Sequence, residues 1–342
     1  MLNVVDGLTF DDVLLVPKHS EIKSRSEVDL SVELSRGVKL MHPIIPANMK
    51  TISGIEMCQC ISETGGMAIL HRFMHIEEQL AAVKKLASPY VGVSVGVKPI
   101  DYENVDLLYK AGARIFCIDI AHGNSKMCVD MTQFIAKYPE VFLIAGNVAT
   151  ANGAKALWLA GADCVKVGIG PGSLCSTRIE TGNGVPQLTA LSDVADVKNE
   201  LTSANLFHPR APIITKPIFI IADGGIKNSG DACKSLCFAD MVMIGNLFAG
   251  CVEAPGDTMI IDGKQFKRYD GSSTHKTNHI EGITSLVPSK GKASNIIEKL
   301  CEGIKSGCSY QGVNNLINLK KDPKFVRITN AGLVESHPKE IK

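Results

Sequence analysis

The chain has 342 residues, 45% of them hydrophobic and 21% charged, a composition that excludes a disordered tail or a small disulfide-stapled domain. Its 36 Lys and Arg residues are balanced by 35 Asp and Glu residues, and the formal charge of +1 offers no surplus field to a nucleic acid or an anionic membrane. No apolar run approaches the roughly 20 residues of a membrane helix, and residues 1–17 carry Asp6, Asp11 and Asp12 in place of a basic targeting segment. We therefore expect a cytoplasmic protein with neither a nucleic-acid nor a membrane partner.

Short apolar runs bounded by glycine, asparagine, aspartate or histidine recur along the chain and predict eight β-strands. In chain order they are Pro43–Met49, Met67–Arg72, Val91–Val97, Ile115–Ala121, Phe142–Val148, Cys164–Gly170, Ile218–Gly224 and Met241–Asn246. They begin 22 to 27 residues apart, except for an interval of 54 residues after the sixth strand. Each interval has room for a helix, as in His75–Leu86, so the pattern indicates βα units.

The predicted strands are continuously apolar, which is typical of parallel strands that are covered on both faces. Three of them are preceded by a similar four-residue motif, whose small residues would end the preceding helix: Ala111–Arg114, Ala160–Asp163 and Cys237–Asp240. A doubly wound sheet could carry such units, but eight in succession favour a (β/α)8 TIM barrel. We expect residues 1–342 to form this single domain.

Eleven cysteines are spread from Cys58 to Cys308 without a C-x-x-C pair. Their odd number, and the lack of histidines at ligand spacing from Cys58 or Cys233, predict reduced thiols instead of disulfides or a structural zinc site. Most should be small buried hydrophobic residues.

The ends of the last two strands are rich in glycine. Asp223–Ile226 follows the seventh strand and Gly245–Asn246 the eighth, the two places where barrels commonly bind phosphate. Glycines allow backbone N–H groups to converge on an anion, although these could also serve only as tight turns.

The long interval after the sixth strand contains Gly168–Arg178, a glycine-rich loop that we expect at the catalytic face. Cys175 within it is a candidate nucleophile, with Thr177 two residues further on, the alternative being a buried spectator thiol. The polar segment Arg268–Gly291 after strand eight predicts a flap over the barrel mouth, in which Glu281 could carry a proton. His275 and His279 in this flap are expected to be solvated.

Together these residues resemble the IMP dehydrogenase and GMP reductase family over nearly the whole chain. The resemblance is carried by Leu8–Pro17, Pro46–Met49, Asp119–Gly123, Gly146–Val148, Lys166–Arg178, Ile221–Ile226 and Glu281–Ile283. It implies a homotetrameric barrel enzyme that binds a purine nucleoside monophosphate and a nicotinamide cofactor.

The resemblance also implies a role for individual residues. Cys175 would be the nucleophile that bonds to purine C2, with Thr177 and Glu281 assisting proton transfer. The implied substrate-binding residues are Ser173, Asp223, Gly224, Gly225, Gly245, Asn246, Tyr269, Gly271 and Ser272. Asp119, Ile120 and Ala121 would face the nicotinamide cofactor. A monovalent cation, K⁺, would be held by Gly168, Gly170 and Cys175, with Glu335, Ser336 and His337 supplied across a subunit interface.

The family contains two chemistries, and the sequence features divide between them. No regulatory (CBS) domain pair is inserted after the strand-two helix, and the flap lacks the Arg-Tyr pair with which dehydrogenases activate water. Both features favour NADPH-dependent reductive deamination of GMP to IMP, since without that base hydrolysis of a covalent intermediate should be poor.

Other features favour oxidation of IMP with NAD, or fit neither branch. Phe325–His337 resembles the dehydrogenase tail, Lys50 stands where both branches often have another residue, and the Ser192–Lys216 connection is longer than usual. An IMP dehydrogenase without regulatory domains therefore remains the alternative. A non-catalytic nucleotide-binding barrel is disfavoured because Cys175, Thr177 and Glu281 are all present.

Overall fold

Eight parallel strands form a nearly closed barrel in the computed structural model, which describes residues 4–203, 214–271 and 283–338. The barrel strands are β1 Ile44–Pro46, β2 Ala68–Leu70, β3 Val91–Val95, β4 Ile115–Asp119, β5 Phe142–Val148, β6 Cys164–Val167, β7 Phe219–Asp223 and β8 Met241–Ile244. From β2 to β8 each strand pairs with the next, and β8 pairs in parallel with β1 through Met243 and Ile45. The predicted TIM barrel is confirmed.

One helix follows each barrel strand. These are α1 Ile55–Glu63, α2 Ile76–Leu86, α3 Pro99–Lys110, α4 Lys126–Ile135, α5 Ala151–Leu159, α6 Gln187–Thr202, α7 Ser229–Leu236 and α8 Ala293–Tyr310. Local sequence fixes several of their starts: the Ser125, Thr150 and Asn228 side chains cap α4, α5 and α7, and Pro99 opens α3. No helix within the described ranges is both long enough and apolar enough to span a bilayer.

Most barrel strands end earlier than the apolar runs suggested, and the residues after them form the loops of the catalytic face. The sixth strand, predicted to reach Gly170, ends at Val167 because Gly168 adopts a φ of +152° and leaves the strand conformation. The shortening frees the polar strand ends to line a site.

Further short elements surround the barrel. Val13–Leu15 pairs antiparallel with Phe325–Arg327, and Val32–Glu33 pairs with Lys39–Leu40. A three-stranded antiparallel sheet is formed by Thr258–Ile261, Lys264–Asp270 and Thr284–Pro288. The short helices are Phe10–Asp12, Arg25–Glu27, Ser35–Gly37, Thr177–Thr181, Asn246–Ala249, Leu316–Leu319 and Asn330–Glu335.

This small sheet corrects the interpretation of Arg268–Gly291 as a polar flap alone, since both flanks of that segment are strands. Alternating charges mask the strand pattern, because one face of a small antiparallel sheet is solvated. Between the two strands, residues 272–282, including Ser272, His275, His279 and Glu281, lie outside the described residues. In the Ser192–Lys216 connection, α6 runs to Thr202, and residues 204–213 also lie outside the described ranges.

The last residue of the repeated four-residue motif, Asp163 or Asp240, forms hydrogen bonds at the amino-terminal end of the barrel. Asp163 Oδ2 accepts a hydrogen bond from the Leu143 backbone at 2.9 Å, and Asp240 Oδ2 accepts one from the Ile220 backbone at 2.8 Å. Each carboxylate thus fastens the start of its own strand to the strand before it.

Asp240 is in addition the centre of a buried ion-pair network. Lys198 Nζ of α6 lies 2.8 Å from its carboxylate, and Lys320 from the carboxy-terminal region contacts it as well. Burial would raise the pKa of Asp240, but the two ammonium groups lower it to about 2. The carboxylate therefore stays charged and joins three parts of the chain.

Replacing Asp240 with Asn should destabilise the fold by about 3 kcal/mol, because it leaves two lysines without their shared counter-charge. Because the folded-state pKa is depressed, the stabilisation exists above pH about 4 and is lost as the pH falls towards 2. Urea unfolding at neutral pH and at pH 3 measures both effects. The exposed Asp322→Asn is the matched control and should change stability by less than about 0.5 kcal/mol. Equal effects of the two substitutions would contradict a structural role for this network.

Candidate active site

Two cavities open on the face formed by the carboxyl ends of the barrel strands. The first, of about 450 Å³, lies over β7 and β8, and the second, of about 540 Å³, lies over β4 and the loop after β6. Both volumes are in the range of small-molecule sites. The cavities adjoin, since Ala47, Met49, Gly172, Asp223 and Tyr269 line both. Two ligands could therefore meet at this boundary.

The first cavity gathers most of the residues expected to bind substrate. It is lined by Ser173, Asp223, Gly224, Gly225, Gly245, Asn246 and Tyr269. Gly271 lines the second cavity instead, and Ser272 lies outside the described residues. The structure thus brings the loops after β6, β7 and β8 together around one space, although the role of each residue remains a prediction.

Two glycines at this face have no substitute in the space available. A Cβ on Gly168 would lie 1.9 Å from the Asp223 carbonyl oxygen, and one on Gly245 would lie 2.6 Å from the Tyr269 hydroxyl. Glycine here permits close approach between neighbouring loops. At Gly168 the neighbour is the backbone at the end of β7, and at Gly245 it is the Tyr269 side chain.

The loop after β6 presents the candidate nucleophile. Cys175 is exposed, and its Sγ lies 3.2 Å from Thr177 Oγ1, so the two predicted catalytic groups are in hydrogen-bond contact. Arg178 holds the loop through two hydrogen bonds. Its Nε donates to the Ile169 carbonyl at 3.2 Å, and its Nη2 donates to the Val185 carbonyl at 2.6 Å. The third predicted catalytic residue, Glu281, is not among the described residues.

The other ten cysteines differ from Cys175 in their surroundings. Eight are buried and two, Cys60 and Cys301, are half-buried. Burial raises the pKa of every one of these thiols, to about 11 at Cys60 and Cys301. They remain protonated at neutral pH, which leaves the exposed Cys175 as the thiol placed to react.

The second cavity begins at the Cys175 side of the boundary. Its lining includes the predicted cofactor residues Asp119, Ile120 and Ala121 at the end of β4. Gly168, Gly170, Cys175 and Thr177 form the wall of the cavity contributed by β6. A molecule bound here would lie against the thiol and next to the first cavity.

A buried lysine in the second cavity contacts Asp223, which lines both cavities. Lys166 on β6 is 3% exposed, and its Nζ lies 2.9 Å from Asp223 Oδ2 and 3.3 Å from Asp119 Oδ1. It also donates to Asn147 Oδ1, while Asn147 Nδ2 donates to Asp223 Oδ2 at 2.8 Å. Burial would lower the pKa of Lys166, but Asp223 and Asp119 outweigh burial and raise it. The ammonium group stays charged and fixes both carboxylates.

Within one chain the two halves of the predicted cation site make separate contacts. Ser336 Oγ donates to the Gly332 carbonyl at 2.8 Å, and His337 Nδ1 contacts the Leu333 carbonyl at 2.9 Å. With Glu335, they form the exposed end of a short helix. On the other side, the Gly168 carbonyl accepts a hydrogen bond from Asn147 Nδ2 at 2.8 Å.

Sequence reasoning missed several residues that line the site. Local sequence assigns no role to Lys166, although a lone lysine in a buried strand indicates that a counter-charge lies nearby. Lys227 and Lys290 reach the first cavity, and Lys290 Nζ donates to the Asn246 carbonyl at 2.8 Å. The segment Thr9–Asp11 also lines this cavity, held there because Leu8 N donates to Thr189 Oγ1 of α6. These contacts depend on tertiary packing and leave no local pattern.

Comparison with known proteins gives consistent matches. The family model for the IMP dehydrogenase / GMP reductase domain matches residues 7–339. An inosine-5′-monophosphate dehydrogenase from Borreliella burgdorferi is 34% identical, the alignment covering 98% of this chain and 97% of the relative. A GMP reductase from Paracidovorax citrulli is 39% identical and covers 91% of this chain and 93% of its own length.

Among solved structures, a GMP reductase from Trypanosoma brucei, crystallised as a cysteine-to-alanine variant with guanosine 5′-monophosphate, has a TM-score of 0.86. It is 27% identical, and the match covers 99% of each chain. Since the family match extends over nearly all of its residues and relatives of both names align along its length, this chain belongs to the IMP dehydrogenase / GMP reductase family, a family of oxidoreductases of purine metabolism.

Proposed function

We infer that this protein is a GMP reductase, which converts GMP and NADPH, with proton uptake, to IMP, ammonium ion and NADP⁺. The observation that carries the proposal is the position of Cys175. Its thiol is exposed at the second cavity, beside the boundary with a first cavity lined by glycine loops and lysines that suit a nucleoside monophosphate. The arrangement allows a nucleotide to reach the thiol from one side and a cofactor to reach it from the other.

The first chemical step would be addition of the Cys175 thiolate to C2 of GMP. A C2–S bond forms, and the C2–N bond to the exocyclic amino group then breaks to release ammonia. The Thr177 hydroxyl, 3.2 Å from Sγ, is placed to relay a proton to the leaving nitrogen, and Glu281 is proposed as its partner. Covalent attachment divides a difficult substitution at an aromatic carbon into two easier steps.

The second step would return the thiol. NADPH, when bound in the second cavity, supplies the hydride that reduces C2. As C2 accepts the hydride, the C2–S bond breaks and its electron pair returns to Cys175 as thiolate. The cavity fits such a group because it adjoins the thiol, is lined by Asp119–Ala121, and contains the Phe73 ring as an apolar surface.

Two observations support reduction over the alternative, oxidation of IMP with NAD. Helix α2 ends at Leu86 and β3 begins at Val91, so the usual position of the regulatory domain pair is occupied by a four-residue connection, 87–90. The sequence between Tyr269 and Gly282 contains no Arg-Tyr pair to activate water. The dehydrogenase-like tail Phe325–His337 is the observation that keeps the alternative open.

The assay that tests the proposal follows absorbance at 340 nm with purified protein. We expect NADPH oxidation with GMP and little NADH production with IMP and NAD. Cys175→Ala should abolish turnover while retaining GMP affinity, and Thr177→Ala should slow turnover by about 10²- to 10⁴-fold. Efficient NADH production from IMP would instead favour the dehydrogenase, and unchanged activity of Cys175→Ala would refute covalent catalysis.

A second prediction concerns Lys166 as a positioning residue. Lys166→Met would remove the ammonium group shared by the half-buried carboxylates of Asp119 and Asp223, of which Asp119 would keep only Arg72 nearby, so we expect a loss of about 1–3 kcal/mol in unfolding free energy. GMP binding should weaken as well, since Asp223 lines the first cavity. Lys126→Met, at an exposed i,i+4 pair, is the matched control and should be nearly silent in both measurements. Titration calorimetry with GMP and urea unfolding report the two effects separately, and wild-type GMP affinity in Lys166→Met would exclude the positioning role.

A third prediction concerns the tail. We propose a homotetramer in which Glu335, Ser336 and His337 of one subunit join the Gly168–Cys175 loop of the next subunit around K⁺. Carbonyl and carboxylate oxygens suit a monovalent cation, but this geometry requires a second copy of the chain. Replacing potassium with a large organic cation should reduce turnover, and truncation after Thr329 should remove the difference between the two buffers. Equal turnover of the full chain in the two buffers would argue against the site.

A further inference from the structure

The second cavity has two unlike walls. The wall contributed by the loop after β6, residues 168–177, is lined by uncharged side chains and holds Cys175. Across the barrel, the loops after β1, β2 and β3 each present a cation to the same cavity: Lys50, Arg72 and Lys98. In the strand order β2 lies opposite β6, so these cations face the thiol from the far side.

Most charges that line this cavity are already balanced. Lys166 contacts both Asp119 and Asp223, and Asp270 Oδ1 accepts from Arg268 Nε at 2.8 Å. Arg72 is held in place as well, since its Nε donates to the Asp119 carbonyl at 3.1 Å and lies 3.8 Å from Asp119 Oδ2. Its guanidinium carbon sits 4.4 Å from the centre of the Phe73 ring.

Lys50 and Lys98 are the exceptions. In residues 4–203, 214–271 and 283–338, neither ammonium group has a carboxylate within ion-pair distance. The nearby Asp101 carboxylate accepts instead from the backbone N–H of Lys98, at 2.8 Å, and caps α3. Burial, assisted by Lys50, lowers the pKa of the neighbouring His71 to about 4, so His71 is neutral and neither balances nor adds to the charge of Lys50. Two positive charges thus remain unbalanced on a chain whose formal charge is only +1.

The chemistry of a nicotinamide dinucleotide predicts what would meet these charges. The nicotinamide ring must face the purine carbon held at Cys175. The phosphate groups are separated from that ring by a ribose, so they must lie away from the thiol. The opposite wall, with Lys50 and Lys98, is where their negative charge would arrive, and ammonium groups bind phosphate oxygens through charge-assisted hydrogen bonds.

We propose that Lys50 and Lys98 form a phosphate-binding site for the dinucleotide cofactor. The site rests on the proposed function, because it assumes that a nicotinamide dinucleotide occupies the second cavity. Lys50 and Lys98 act as binding residues that set cofactor affinity, whereas Arg72, tied to Asp119 and Phe73, shapes the cavity wall between them.

Binding measurements test the site without turnover. NADPH and NADH are titrated into the Cys175→Ala protein saturated with GMP, and binding is followed by calorimetry and by cofactor fluorescence. The same titrations are made with Lys50→Ala, Lys98→Ala or both added to that protein. The double variant should weaken cofactor binding by about tenfold or more, since it removes both ammonium groups that would donate charge-assisted hydrogen bonds to phosphate oxygens. Affinity should also become less sensitive to salt. Lys50→Arg should retain most of the affinity, and the exposed Lys321→Ala is the control that should leave it unchanged.

The two dinucleotides locate the phosphate. Weaker binding of NADPH alone would place the 2′-phosphate at the lysines, whereas equal weakening of NADPH and NADH would place the pyrophosphate there, and both results support the site. Unchanged affinity and salt dependence in the double variant would overturn it. If the unsubstituted protein reduces GMP yet the lysine variants bind NADPH normally, only this inference fails; if it neither binds NADPH nor reduces GMP, the proposed function fails.

Discussion

The arrangement of the site depends on one buried ammonium group. Lys166 projects from β6 among the carboxylates of Asp119 and Asp223 and the side chain of Asn147, which belong to β4, β7 and β5. A buried ammonium group without partners would be strongly destabilising, and two half-buried carboxylates close together would repel each other. Their mutual neutralisation therefore requires four neighbouring strands to end at matching heights; all four residues line the second cavity, and Asp223 also lines the first.

The shape of the loop after β6 follows from this constraint. Once Asp223 is fixed by Lys166 and Asn147, its backbone carbonyl approaches so closely that only glycine fits at position 168. The chain therefore turns sharply after β6, and Arg178 closes the turn with its bonds to Ile169 and Val185. The turn leaves Cys175 exposed beside the shared boundary of the cavities. The thiol, whose Sγ lies 3.2 Å from Thr177 Oγ1, is positioned by backbone packing and by an ion pair at the start of the loop.

The barrel was predictable because its signal is local and repeated. Eight apolar runs mark eight strands, and small residues before Asp163 and Asp240 mark the helix-to-strand turns. The strands Lys264–Asp270 and Thr284–Pro288 were not predicted, because their polar faces resemble a loop. Of the site, the glycine loops and Cys175 were recognisable from local sequence. The partners of Lys166, the docking of Thr9–Asp11 and the reach of Lys290 arise from residues distant in sequence, which no local pattern records.

The net charge of the chain and the charge at the site are separate properties. The near-neutral total excludes a large uniform field, but it says nothing about how charges are paired. At the amino-terminal end of the barrel, Lys198 and Lys320 form ion pairs with Asp240. At the carboxyl-terminal face, Lys166 forms ion pairs with Asp119 and Asp223. Because the other cations near the second cavity are paired with carboxylates, the unpaired Lys50 and Lys98 contribute most of its positive electrostatic potential. A protein with almost no net charge can therefore attract a highly charged ligand, provided that its balanced pairs lie elsewhere.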